Sequence, residues 1–178
     1  VRVDRGKALL YPGEWAITSP PVAAGGVVVV GSAIDDNQRV ASPRGTVHAY
    51  DARTGELRWQ WDPIPRDAAD LAAKTWGEGW KETGSANVWA PMSVDLARAL
   101  VFLPIASPSP DFYGGLRPGA NLYANSVVAL RLESGAMAWH FQTVHHDVWD
   151  YDVPAQPTLA TIDIAGKPRD VVIVGNKQ

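Results

Sequence analysis

A short pattern occurs twice in this chain, and it restricts the possible folds more than any other feature. Gly45-Thr-Val-His-Ala-Tyr-Asp-Ala-Arg-Thr-Gly-Glu-Leu-Arg-Trp59 returns eighty residues later as Ser126-Val-Val-Ala-Leu-Arg-Leu-Glu-Ser-Gly-Ala-Met-Ala-Trp139. The alignment pairs Ala49 with Ala129, Thr54 with Ser134, Gly55 with Gly135 and Trp59 with Trp139. The first copy reads as a hairpin, with a strand over 46–50, a tight turn over 51–55 and a return strand over 56–61. A β-rich run precedes each hairpin, at 27–31 and 101–106, and a third such run follows at 171–175. Short strands, glycine turns and a tryptophan at a fixed place in each unit predict an all-β fold, a β-propeller with four-stranded blades.

About two and a half units are visible, and a closed propeller needs at least four blades. The chain therefore reads as 1–178 of a single propeller domain, incomplete at both ends, an expectation strengthened by the start at Val1 and the stop at Gln178 just after a strand. Residues 1–20 are a turn-rich lead-in. Inserts at 62–86 and 107–123 stretch the repeat, and 67–74 in the first predicts a short helix. Long insertions on one face of a repeat array are where binding residues gather.

Composition excludes several classes. Sixteen basic residues against 19 acidic give a net charge of −3 with no basic stripe, which argues against a nucleic-acid partner. There is no Cys, so no disulfide, no thiol chemistry and no Cys-x-x-Cys-His haem attachment. The longest apolar run, Val27 to Val30, falls far short of the roughly 18 residues that span a bilayer. The first residues lack the apolar middle of a signal peptide.

The stretch over 143–157, Thr-Val-His-His-Asp-Val-Trp-Asp-Tyr-Asp-Val-Pro-Ala-Gln-Pro, fits neither helical nor strand periodicity. Its two histidines, three aspartates and aromatics read as a site loop, with a structural β-corner as the alternative. Zinc is disfavoured, because His145 and His146 are adjacent and structural zinc usually wants ligands two to four apart, often with Cys.

With these residues in view the chain resembles the pyrroloquinoline quinone (PQQ)-dependent dehydrogenases, in particular the membrane-bound glucose dehydrogenase branch and its quinate dehydrogenase relatives. The resemblance runs from about Ser19 to Lys177 and rests on four ordered motifs: 31–37 (Gly-Ser-Ala-Ile-Asp-Asp-Asn), 87–91 (Asn-Val-Trp-Ala-Pro), 103–115, and 143–150 with 154–157. It implies an eight-bladed propeller, of which this chain holds about three blades, with PQQ and Ca²⁺ on its axis. Asp150 then matches the catalytic aspartate, a base that takes the hydroxyl proton while hydride leaves carbon. Trp89 matches the ring that stacks on the cofactor, Asn87 a hydrogen-bonding group at its edge, and Lys177 the basic residue at the quinone. Asp36 and Asn37 match metal-site residues, with Asp35 leaving the register open by one. Ser109 matches a hydroxyl ligand of the metal, and Ser107, a further metal-site candidate, stands where many relatives carry Asn. His145, His146 and Asp147 fit the motif without an assigned role beyond ordering the loop.

The resemblance further implies oxidation of a sugar or polyol hydroxyl, electrons passed to ubiquinone, a periplasmic location, and membrane association only through parts outside this chain. Two other readings compete: a non-catalytic quinoprotein-like propeller acting as a binding or assembly scaffold, and a glycoside hydrolase built on Asp147, Asp150 and Asp152. The scaffold explains the tryptophan hairpins but not the joint presence of Asn87, Trp89, Asp150 and Lys177. Nothing in the chain suggests the sugar cleft a glycosidase needs.

Overall fold

The computed structural model describes residues 9–35 and 37–178, which form twelve β-strands and no α-helix. The first six are β1 (Trp15–Ala16), β2 (Val22–Ala24), β3 (Val27–Val30), β4 (Ala33–Ile34), β5 (Val47–Asp51) and β6 (Leu57–Trp61). They are followed by β7 (Ser93–Asp95), β8 (Leu100–Pro104), β9 (Ser126–Arg131), β10 (Met137–Gln142), β11 (Thr158–Ile164) and β12 (Lys167–Ile173). Strands β2-β3-β5-β6 make one four-stranded antiparallel sheet and β7-β8-β9-β10 a second of identical connectivity; β11 and β12 pair as a separate two-stranded hairpin. The short pair β1-β4 lies outside this repeat.

The two sequence repeats are the outer hairpins of the two blades, and their backbones agree bond for bond. Gly55 N–H donates to Asp51 O at 2.9 Å and Gly135 N–H to Arg131 O at 2.8 Å. Both glycines take positive φ, 74° and 70°, which a side chain would resist. Thr54 Oγ1 accepts from Glu56 N–H at 3.2 Å, as Ser134 Oγ does from Ala136 N–H at 3.3 Å. The register pairs Ala49 with Trp59 and Ala129 with Trp139, and each hairpin slips by one residue just before its tryptophan. That bulge turns the indole toward the neighbouring blade. Trp59 Nε1 donates to Leu132 O at 2.9 Å, across the blade boundary.

The core lies between the blades. Val27 and Val29 alternate with less buried neighbours on β3 and meet Val101, Leu103, Val128 and Leu130 of the second sheet. β8 is buried along its whole length because it is covered on both sides: Leu100 and Phe102 point the other way, toward Val172 of β12. The two inserts pack on each other. Trp76, fully buried, hydrogen-bonds Leu122 O, and Asn121 N–H donates to Thr75 O at 2.9 Å.

Two expectations need correction. The helix expected over 67–74 is a 3₁₀ helix, Leu71–Thr75, because Asp67 and Asp70 each accept a backbone N–H two residues on, at 2.9 Å, and so hold the chain in turns. The last strand begins at Lys167 rather than near 171, paired with an unforeseen β11 through the turn at Ala165 and Gly166. Both turn residues take positive φ, 54° and 75°, yet Ala-Gly lacks the Asn or Asp that usually signals such a turn.

Candidate active site

The loop after β10 is shaped by Asp147. Its buried carboxylate accepts Trp149 N–H at 3.0 Å on Oδ1, and on Oδ2 Tyr151 N–H at 2.8 Å, Ser107 Oγ–H at 2.7 Å and the Asn125 amide at 2.9 Å. A carboxylate can accept about four hydrogen bonds, so Asp147 is saturated and serves as the loop's anchor. Arg117, fully buried, holds the same turn from outside by donating to Asp147 O at 2.6 Å and to Pro110 O at 3.0 Å. Burial pushes the Arg117 guanidinium's pKa down, and Asp147 and Asp111 oppose that shift. His146 fixes the loop's other flank through its ring at 2.9 Å from Gly119 O. Gly114 lets the insert close over it, since a Cβ there would lie 2.3 Å from His146 Nε2. His145 is exposed.

This frame presents Asp150 in the left-handed region, at φ 56°, a conformation Asp tolerates better than most residues. Lys177 comes to it from 27 residues away: its ammonium donates to Asp150 Oδ2 at 2.7 Å and to Asp152 Oδ2 at 3.0 Å. Asp152, 5% exposed, also accepts Ser107 N–H on Oδ1 at 2.8 Å. Asp150 Oδ1 is buried and has no hydrogen-bond partner. Burial raises the Asp150 carboxyl above its usual range, the Lys177 hydrogen bond works against that, and neighbouring Asp152 adds to it. For Lys177, burial favours the neutral form but the bonds to Asp150 and Asp152 outweigh it, so its pKa rises.

The remaining candidates fall into two places. Gly31 and Gly45 let the 87–89 segment lie directly on its neighbours, because a Cβ at Gly31 would sit 2.2 Å from Val88 O and one at Gly45 2.5 Å from Asn87 Cα. Asn87, buried there, donates to Ser32 O at 2.7 Å. Trp89 is half-buried and stands outside the apolar core that holds Trp59 and Trp76. Asn37 pairs with Asp111, donating to its Oδ2 at 2.7 Å and accepting its N–H at 2.9 Å, which joins the 37 and 109–111 segments. Asp36 lies outside the described residues, and Asp35 accepts the Tyr11 hydroxyl at 2.6 Å. The Ser109 hydroxyl is fully buried with no partner. The Ser107 hydroxyl is committed to Asp147 and Asn125.

A buried polar atom without a partner requires an explanation, and two oxygens here, Ser109 Oγ and Asp150 Oδ1, fit a site that takes a cation or a hydrogen-bond donor. Both are hard oxygen donors, and among the described residues no three His, Asp or Glu side chains converge as a metal set. Hard oxygen donors of that kind suit Ca²⁺. Sequence reasoning gave no role to Asn125 or Arg117, gave Asp147 the ordering of the loop, and named Asp152 only among the carboxylates of the glycosidase alternative. For Asn125 a signal existed: it takes φ 49° at the entrance to β9, a conformation Asn adopts readily.

The repeated four-stranded sheets define a run of β-propeller blades, and the acid–lysine cluster lies on the loops that follow their strands. The chain belongs to the PQQ family described as glucose/ethanol/alcohol dehydrogenase, beta-propeller domain, whose model matches residues 1–178. It is 39% identical over 162 residues to the quinoprotein glucose dehydrogenase of Escherichia coli (strain K12), covering 90% of this chain and 20% of that protein. It is 42% identical over 166 residues to the quinate/shikimate dehydrogenase (quinone) of Acinetobacter baylyi, covering 92% and 20%. The crystal structure of quinohemoprotein alcohol dehydrogenase from Comamonas testosteroni superposes with a TM-score of 0.82 at 32% identity, over 93% of this chain and 27% of that one. The chain thus spans about a fifth of the length of the curated relatives it matches.

Proposed function

We propose that this chain is part of a PQQ- and calcium-dependent dehydrogenase that oxidises a CH–OH group of a sugar or polyol of the glucose or quinate type. The observation that carries this reading is the Asp150–Lys177 pair with its buried, unpartnered carboxylate oxygen, Asp150 Oδ1. When bound, PQQ supplies the hydride acceptor and Ca²⁺ a Lewis acid. Asp150 Oδ1 receives the substrate hydroxyl proton, and a carboxyl whose pKa is raised by burial is a better base than an exposed one. Lys177 holds the other oxygen of Asp150 in place and keeps one N–H for a cofactor oxygen, since an ammonium has three donors and two are engaged here. Trp89 offers a flat apolar face and Asn87 its remaining amide groups to the cofactor; Ser109, Asn37 and Asp36 offer oxygens to the cation, with Ser107 supporting from behind.

The same reading gives ubiquinone as electron acceptor and a periplasmic site. No helix among the described residues is long and apolar enough to cross a membrane. A cleft of about 600 Å³ lies between β8 and the β11–β12 hairpin and is lined by none of the candidate residues. With Leu100, Phe102, Trp139 and Val172 in its wall it is the seam between blades, not the substrate site.

The test is a PQQ titration of the full-length protein with and without Ca²⁺, following quinone absorbance and dye reduction with glucose or quinate. Calcium-dependent binding and turnover are expected. Absence of cofactor binding under every condition would leave the scaffold propeller as the better description.

A further inference from the structure

We infer that Asp152 is a positioning residue of this site, which holds the Lys177 ammonium opposite Asp150 and thereby fixes the donor that Lys177 offers to a bound cofactor. The inference rests on the proposed function for its cofactor arm and on geometry alone for its lysine arm. Asp152 is one of the most enclosed carboxylates in the loop, 5% exposed, and its two oxygens do different work. Oδ1 accepts the Ser107 N–H at 2.8 Å, which locks the carboxylate plane to the insert. Oδ2 accepts from Lys177 Nζ at 3.0 Å.

Lysine is a flexible four-carbon stem with a point charge at its end, so a single contact leaves the ammonium free to swing about that contact. Asp150 alone would be such a contact, and it is held less firmly, with its side chain 30% exposed against 8% for Asp152. A second carboxylate, fixed to the backbone of another segment, converts the single contact into a two-point clamp. The third N–H of Lys177 is then directed, rather than sampling a cone. Asp152 also supplies a lasting counter-charge: when Asp150 takes up a proton, Lys177 still faces one anion and remains in place.

Asp152→Asn separates this role from a plain structural one. The amide oxygen of Asn can still accept the Ser107 N–H, so the loop keeps its backbone bond, while the charge facing Lys177 is lost. The experiment uses the full-length protein and four forms: wild type, Asp152→Asn, Lys177→Met and the double variant, each checked for fold by circular dichroism. PQQ affinity is measured by equilibrium dialysis, and Lys177 labelling by an amine-reactive acetylating reagent is followed by mass spectrometry without cofactor. We expect Asp152→Asn to weaken PQQ binding about tenfold, in the range of losses seen for outer-shell partners of bound groups. That loss should vanish in the Lys177→Met background, because the two residues act as one unit. Labelling of Lys177 should rise several-fold in Asp152→Asn, and Asp152→Glu should restore it in part.

Wild-type affinity together with wild-type labelling in Asp152→Asn would overturn the inference, as would a loss of affinity that persists undiminished in the Lys177→Met background. If wild type binds no PQQ but labelling still rises in Asp152→Asn, the clamp stands and the dehydrogenase reading falls. If labelling is unchanged there as well, both fall.

Discussion

At the scale of single residues, the loop over 143–157 divides its aspartates by task. Asp147 is consumed in hydrogen bonds and Asp152 in the lysine clamp, while Asp150 alone retains an unpartnered oxygen. Asp150→Asn in the full-length protein is expected to keep PQQ bound and lower turnover by a factor of about 10² to 10⁴, the usual worth of a positioned base. Because burial and Asp152 raise the Asp150 carboxyl in the metal-free protein, its titration there, followed by NMR, should lie above the ordinary Asp value of about 3.9. A value at or below that would show that the Lys177 bond outweighs burial. Asp147→Ala strands the Ser107 hydroxyl, the Asn125 amide and two backbone N–H groups, and should cost about 3 kcal/mol or more in urea unfolding. His145 and Trp149 are exposed and join none of these bonds with their side chains.

At the scale of elements, the repeated hairpin shows how one local design serves two surroundings. In the first copy Asp51 accepts Arg53 N–H and Thr54 N–H at 2.9 Å and pairs with Arg58, and these contacts hold its carboxyl well below the usual carboxylate range. A depressed carboxyl stabilises the fold above the unfolded pKa, near 3.9, and its contribution is lost as pH falls below that value. The stability drop between pH 5 and pH 2 should therefore be smaller in Asp51→Asn than in wild type, the effect being modest because the pair sits at the surface, with the Asp51 side chain 19% and its Arg58 partner 39% exposed. The turn glycines make a sharper comparison. A Cβ on Gly55 meets nothing within 4 Å, whereas one on Gly135 would lie 2.7 Å from Trp59 Cδ2. Gly55→Ala should cost about 1 kcal/mol from its backbone conformation alone. Gly135→Ala should cost about 1 to 3 kcal/mol beyond that, because the indole must move. Equal costs in thermal or urea unfolding would show that the contact between the blades is soft.

At the scale of the whole molecule, each blade is completed by the next. Trp59 is 7% exposed because the turn of the second blade covers it, while Trp139, its counterpart, is 38% exposed against Phe102 at 5.8 Å. If this chain is a run of blades within a larger ring, as proposed, Trp139 in the full-length protein is covered by the corresponding turn of the third blade. Trp59→Ala and Trp139→Ala should then each cost about 3 to 5 kcal/mol there. A much smaller cost for Trp139→Ala would mean that its face stays open. The arrangement also explains why the cluster occupies loops: residues 107, 150, 152 and 177 meet only because packing of the blades brings their connections together.

The sequence by itself determined the repeat and the fold class, and it named the segments proposed to carry the site. These are legible because a hairpin's turn, bulge and tryptophan obey local rules of spacing and backbone conformation. The motif residues Asp150 and Lys177 could be named in advance, but not that they touch at 2.7 Å, since the 27 residues between them include a hairpin whose turn, Ala165-Gly166, is weakly marked. The tertiary structure alone decided that Ser107 is bound to Asp147, that Arg117 is buried behind the loop and that Asp152 shares the lysine. Each of those facts depends on which segments the blade packing presses together. Burial and charge at a site are properties of that packing, and spacing along the chain does not encode them.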